Sequence, residues 1–184
     1  MYRQIVLVLV LTATTALADA QKDYIQKAIP YAKEVQAKYG IPPSATIGMS
    51  AYESNFGRSK LSERAKNYFG IKDLKRNGPR YYMVTKDYNK TVTHVQPFKR
   101  YNSMRESFQG YGAFLQTKRY SKARGVLDGK KFVRIVAQAG YCPDYTYTRN
   151  VSRIIDRFNL TQYDKCNKSQ HASSNIGAKY RGME

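Results

Sequence analysis

Acidic residues are scarce in this chain of 184: 13 Asp and Glu stand against 32 Lys and Arg, a formal net charge of +19. Such a balance favours a polyanionic partner, whether nucleic acid, an anionic envelope polymer or an anionic membrane. The basic residues are spread along the chain, with no Arg cluster among aromatics and no nucleic-acid motif. General polyanion affinity is therefore expected, and specific nucleic-acid recognition is not. Cysteine is nearly absent, with only Cys142 and Cys166, and His94 and His171 are isolated. Two cysteines alone cannot build a structural zinc site, so neither a metal nor any other cofactor is expected. Long apolar runs are missing too. The longest, Ile5 to Leu11, falls well short of the roughly 20 residues a spanning helix needs, which argues against a membrane span.

That short run has a different reading. Arg3 precedes it, the small residues Thr12 to Ala16 follow it, and Ala18-Asp19-Ala20 has the form of an A-x-A cleavage site. The pattern is that of a secretory signal peptide over residues 1–20, giving a chain secreted or periplasmic after cleavage near Ala20. Residues 21–166 then form one domain, expected as a monomer, and residues 167–184 a polar tail without periodicity. In an oxidising compartment the even cysteine count suggests one disulfide, Cys142 to Cys166.

Within the domain, Ile25, Ala28, Ile29, Ala32 and Val35 recur at helical spacing over residues 22–39, and Pro30 predicts a kink or the start of a second helix. Ser44 has the place of an N-cap for a helix reaching about Ser54. Strand formers at Tyr81, Tyr82, Val84 and Thr85 and at Thr91, Val92, Thr93 and Val95 flank Asn89-Lys90, a hairpin signal. Ser103 with Glu106 forms a capping box, Asp128-Gly129 opens another helix, and a last one covers about Thr146 to Phe158. Helices with one small hairpin make the fold α+β.

Glycoside hydrolysis needs a protonated carboxylic acid at the leaving oxygen, in a setting that raises its pKa, and usually a second carboxylate. Most acids here have local duties: Glu106 caps its own helix, Asp128 and Asp144 stand at helix starts, and Glu34 lies on an exposed face. Glu53 has none. It closes an apolar-faced helix, where the helix dipole disfavours its charge. The plainer reading is an exposed helix-end Glu.

The surrounding residues favour the sharper reading. Ile41 to Ser59, with Glu53-Ser54-Asn55-Phe56-Gly57-Arg58-Ser59 at its end, and then Asn67-Tyr68-Phe69-Gly70-Ile71-Lys72, resemble glycoside hydrolase family 73. That family holds bacterial autolysins and the muramidase-like domain of flagellar rod-assembly proteins. Phe98-Lys99-Arg100-Tyr101 with Ser107-Phe108, and Ala139-Gly140-Tyr141 with Asp144 and Tyr147, extend the resemblance over about Tyr24 to Phe158. It implies a lysozyme-like fold, with the hairpin lobe flanking an active-site cleft, and an endo-β-N-acetylglucosaminidase acting on peptidoglycan glycan strands. Glu53 then matches the catalytic acid. Thr85-Lys86-Asp87-Tyr88 stands where the family has Thr-x-Glu-Tyr, which makes Asp87, one methylene shorter, the candidate second carboxylate. Tyr141 and Tyr147 match cleft tyrosines, with core packing as their plainer reading, and Phe69 and Gly70 match the cleft floor. Tyr68 replaces a usual Leu. The Glu-Ser-Asn-Phe string also resembles lytic transglycosylases, but the Gly-Leu-Met-Gln loop usual in those enzymes is replaced here by Asn67 to Lys72. An inactive glycan-binding module is the remaining alternative, supported by Asp87 and opposed by Glu53.

Overall fold

The computed structural model describes residues 2–86 and 93–165, with side chains described from residue 16 onward except at Lys86. The elements run in the order α1 (Tyr2–Tyr39), α2 (Pro43–Ser54), α3 (Lys60–Ala65), β1 (Arg80–Lys86), β2 (Thr93–Lys99), α4 (Met104–Phe114), α5 (Gly129–Gln138) and α6 (Tyr147–Arg157). Two 3₁₀ segments, Lys118–Ala123 and Leu160–Tyr163, complete the described part. The fold is α+β: mostly helical, with one two-stranded antiparallel sheet.

The centre of the molecule is α2. Every residue from Pro43 to Ala51 is buried; the polar ones are small and hydrogen-bonded, Thr46 to the Pro42 carbonyl and Ser50 to that of Ile47, so the whole helix can sit in the core. Its neighbours are α1, α5 and α6. Small residues let them close in. A Cβ on Gly48 would lie 2.9 Å from Cγ1 of Ile155 on α6. Ser44 is not the N-cap expected of it. Pro42 holds that place, and Pro43, with its preset φ and missing N–H, begins the helix. Ser44 instead gives its N–H and its hydroxyl to the Asp164 carboxylate, at 2.8 and 2.6 Å. A residue distant in sequence thus supplies the cap.

Pro30 does not start a second helix, since α1 continues through it. Tyr24, Ile25, Ala28, Ala32 and Val35 are all buried, on a helix packed against α2 and α4. That burial offsets a proline cost of about 3 kcal/mol. Among the described residues no helix is long and apolar enough to cross a membrane.

Other start signals work as read. The Ser103 hydroxyl accepts the Glu106 N–H at 3.1 Å, and Asp128 accepts the Lys131 N–H at 2.8 Å. In the hairpin, Tyr81 pairs with Phe98 and Val84 with Val95. Phe98, with Tyr81 and Met83, packs on Leu61 and Ala65 of α3. Residues 71–73 run alongside β2: Lys72 bridges Phe98, Lys99 N–H donates to the Ile71 carbonyl, and Asp73 N–H to that of Pro97, both at 2.9 Å. Asp73, buried, faces Nε of Arg80 at 3.3 Å, which ties this segment to the base of β1. The Asn89-Lys90 turn, Asp87, Cys166 and the tail 167–184 lie outside the described residues.

Candidate active site

Glu53 is the next-to-last residue of α2, and the chain turns sharply behind it. Asn55, Phe56 and Gly57 all take left-handed backbone angles, with φ of 50°, 54° and 77°. For Phe56 this costs of order 1–3 kcal/mol. The turn is held from several sides. The Phe56 N–H reaches the Ala51 carbonyl at 2.8 Å, its ring packs against Tyr24 and Phe158, and the Ser54 hydroxyl accepts the Gly57 N–H at 2.8 Å. Gly57 is required, because a Cβ there would lie 3.0 Å from the Tyr24 ring. This tight reversal fixes where the Glu53 carboxyl points.

The second wall is the loop from Asn67 to Ile71, organised by a residue to which the sequence motif assigned no duty. Asn67, buried, donates to the carbonyls of Ile71 and Lys99, both at 2.9 Å. Its oxygen accepts the N–H groups of Ile71 at 3.1 Å and Phe69 at 3.4 Å. Ser107 adds a fifth tie by accepting the Tyr68 N–H at 3.1 Å. Burial with opposed donors and acceptors is the signal that could have exposed Asn67, and it exists only in three dimensions. Asn67→Asp removes the donor while keeping the shape, which leaves two carbonyls facing a carboxylate. It is expected to cost about 2–4 kcal/mol, measured by urea unfolding, and to lower activity by releasing Gly70.

Gly70 closes the approach to the acid. Its φ is +64°, and a Cβ would sit 3.7 Å from Oε2 of Glu53. Phe69 turns its ring inward, stacked on Tyr111 with centroids 4.0 Å apart. Its carbonyl accepts the Tyr141 hydroxyl at 2.9 Å. Tyr147 is fully buried, edge-on to Tyr52 at 5.3 Å. It sits behind the acid rather than on the cleft surface, so a sugar cannot stack on its ring. Between these walls lies a cleft of about 440 Å³, lined by Glu53, Phe69, Gly70, Lys72, Phe114, Arg119, Tyr141 and Cys142 among others. Glu53, Phe69, Gly70 and Tyr141 thus meet as expected. Lys72 and Arg119 join them without having been singled out. Cys142 forms no disulfide among the described residues. Those residues also hold no group of three or more His, Cys, Asp or Glu able to take a metal.

Burial is the main force on the Glu53 carboxyl and pushes its pKa from 4.5 up to about 7. This is the apolar setting that a general acid needs. The Tyr147 hydroxyl lies beside the carboxyl and tempers the rise, although it makes no bond of full hydrogen-bond geometry with any group here. Such bonds tighten when substrate binds. Burial also lifts the Tyr141 and Tyr147 hydroxyls well above their ordinary range. Both stay protonated near neutral pH, so they can donate hydrogen bonds but cannot serve as bases.

The raised acid affects stability. Between pH 4.5 and about 7 the folded state keeps a proton that the unfolded chain releases. Stability therefore falls as pH rises through that window, and the whole penalty is present above it. Glu53→Gln does not titrate. It is expected to be more stable than the parent at pH 8 by roughly 1–3 kcal/mol and nearly equal to it at pH 4. Thermal melts at the two pH values check this.

The chain is similar to known proteins over most of its length. The family model described as mannosyl-glycoprotein endo-β-N-acetylglucosaminidase matches residues 29–160. The exo-glucosaminidase LytG of Bacillus subtilis is 28% identical over 82% of this chain, which spans 56% of that protein. A probable N-acetylmuramidase of Lactococcus lactis is 31% identical over 88% of this chain, which spans 38% of it. Among solved structures, the catalytic domain of the Listeria monocytogenes autolysin Auto superposes with a TM-score of 0.66 at 27% identity, covering 78% of this chain and 87% of that domain. A peptidoglycan hydrolase of Sphingomonas sp. A1 gives 0.63 at 27% identity, covering 84% and 94%. With the helix-end Glu53, the Asn67–Lys72 loop and Tyr141 in one site, and the family model matched over residues 29–160, the chain belongs to the glucosaminidase family, glycoside hydrolase family 73.

Proposed function

We propose that this chain is a peptidoglycan hydrolase that cuts the β-1,4 bond between N-acetylglucosamine and N-acetylmuramic acid, with Glu53 as the general acid. One observation carries the reading: a carboxyl whose pKa is raised to about 7 lines a cleft of about 440 Å³. Such a group still holds its proton near neutral pH, which leaving-group protonation requires. The similar proteins are named for cutting on either side of the same glycan repeat, so the bond is the point to test. Mass spectrometry of digested peptidoglycan is expected to find N-acetylglucosamine at the new reducing ends. N-acetylmuramic acid there would reassign the bond.

The second reading is a lytic transglycosylase, which works with one Glu; it is supported by the likeness of Glu53-Ser54-Asn55-Phe56 to the catalytic helix of those enzymes. Its anhydro products are lighter by one water, and the same spectra separate the two. The pH dependence follows from the acid: kcat/KM is expected to fall as pH rises through about 7, where Glu53 loses its proton. A flat profile from pH 5 to pH 9 would assign proton donation elsewhere.

Three further proposals accompany this function. Asp87 is the second carboxylate. Secretion follows cleavage near Ala20, to be checked by the N-terminal sequence of the exported protein. Cys142 and Cys166 are bonded, and intact mass after alkylation with and without reduction is expected to show two protected thiols. Two free thiols in the exported protein would remove the bond.

A further inference from the structure

We propose that Lys72 and Arg119 form a subsite in the cleft that binds a carboxylate of the glycan substrate. The inference rests on the function proposed above and specifies which chemical group of the wall is read. Both residues line the same cleft as Glu53 and both are exposed. Neither takes part in any of the described ion pairs.

The two cations stand on firm backbone. Lys72 lies between Ile71, which Asn67 grips through both its N–H and its carbonyl, and Asp73, whose N–H is tied to Pro97. Lys72 itself bridges to Phe98. Arg119 precedes Tyr120, which is buried and packs against Phe114 and Tyr141. Two cations lining one cleft favour an anion there, and a guanidinium suits a carboxylate in particular. Peptidoglycan offers two sources: the lactyl group of muramic acid where the peptide has been removed, and the carboxylates of the peptide stem where it remains.

The test uses the full chain and the double variant Lys72→Met/Arg119→Gln on three walls: native peptidoglycan, peptidoglycan stripped of stems by an amidase, and peptidoglycan with its carboxyls amidated by carbodiimide coupling. On native or stripped wall the variant is expected to lose about tenfold in kcat/KM, the size of one or two charge-assisted hydrogen bonds. On amidated wall the parent falls to the level of the variant. Loss on native wall alone identifies stem carboxylates, and loss on stripped wall alone the lactyl group. A variant that loses the same factor on all three walls, or on none, overturns the subsite. A parent that releases no sugar ends from any wall overturns the hydrolase reading as well, whereas a fully active parent beside an unaffected variant removes the subsite alone. Should the double variant misfold, Lys72→Arg/Arg119→Lys keeps both charges. It is expected to remain selective for the wall that carries carboxylates, and loss of that selectivity counts against the proposal.

Discussion

Glu53→Gln is expected to fold normally and to lose at least about a hundredfold in turnover on purified peptidoglycan, within the 10²- to 10⁴-fold range of general acid catalysis. Gln keeps the shape and the neutral character that the folded state already favours at this site, so packing beside Gly70 and Tyr147 is retained. What it lacks is a transferable proton. The loss belongs in kcat and kcat/KM together, because the missing interaction acts on the leaving oxygen in the transition state. The thermal midpoint of the same variant should rise at pH 8, as argued above. Higher stability with lost activity is the signature of a site strained for function, and misfolding cannot produce it. A variant retaining more than roughly a tenth of parental turnover would end the assignment of Glu53.

Asp87→Asn is expected to lower turnover by about 10²-fold with little change in substrate binding, and Asp87→Glu to keep or raise the parental rate. The motive is positional: by the resemblance, Asp87 stands in the slot of a second Glu, and the longer side chain would restore that reach. A bystander Asp would behave differently. Away from special features a surface substitution shifts stability by less than about 0.5 kcal/mol, and both replacements would leave the rate nearly unchanged. Steady-state kinetics of the two variants on one wall preparation separate the cases. Parental rates for Asp87→Asn would leave Glu53 as the sole essential carboxylate. Water would then have to be activated by the acetamido group of the substrate, because burial keeps the Tyr147 hydroxyl protonated.

Much of the architecture was legible from local patterns. The stripe from Ile25 to Val35, the capping box at Ser103, the Asp128 cap and the strand formers around Val84 and Val95 act within a few residues, and those elements formed where they were read. Glu53 stood out because its neighbours in sequence form a recognisable string. Ser44 had the right type for an N-cap, but the helix begins one residue earlier at Pro43 and Ser44 is bound by Asp164 instead. Of the two readings of Pro30, a kink or a second helix start, the second is excluded, because α1 runs through it and is packed against α2 and α4. The Asp164 contact and that packing are not visible from adjacent residues.

By itself, the sequence determined which residue types were available: a helix-end Glu, a Gly able to turn left-handed beside it, and a strongly cationic surface. Only the tertiary structure decided what state they are in. The Glu53 pKa is set by how much water the Asn67–Ile71 loop and α6 exclude from it, and desolvation depends on every neighbour in space. The same holds for Tyr147, which matched a cleft tyrosine in sequence but lies buried behind the acid, and for Lys72 and Arg119, which become neighbours of one cleft only when the chain has folded. A pattern along the chain can specify chemistry, whereas dielectric environment and proximity are properties of the packed molecule.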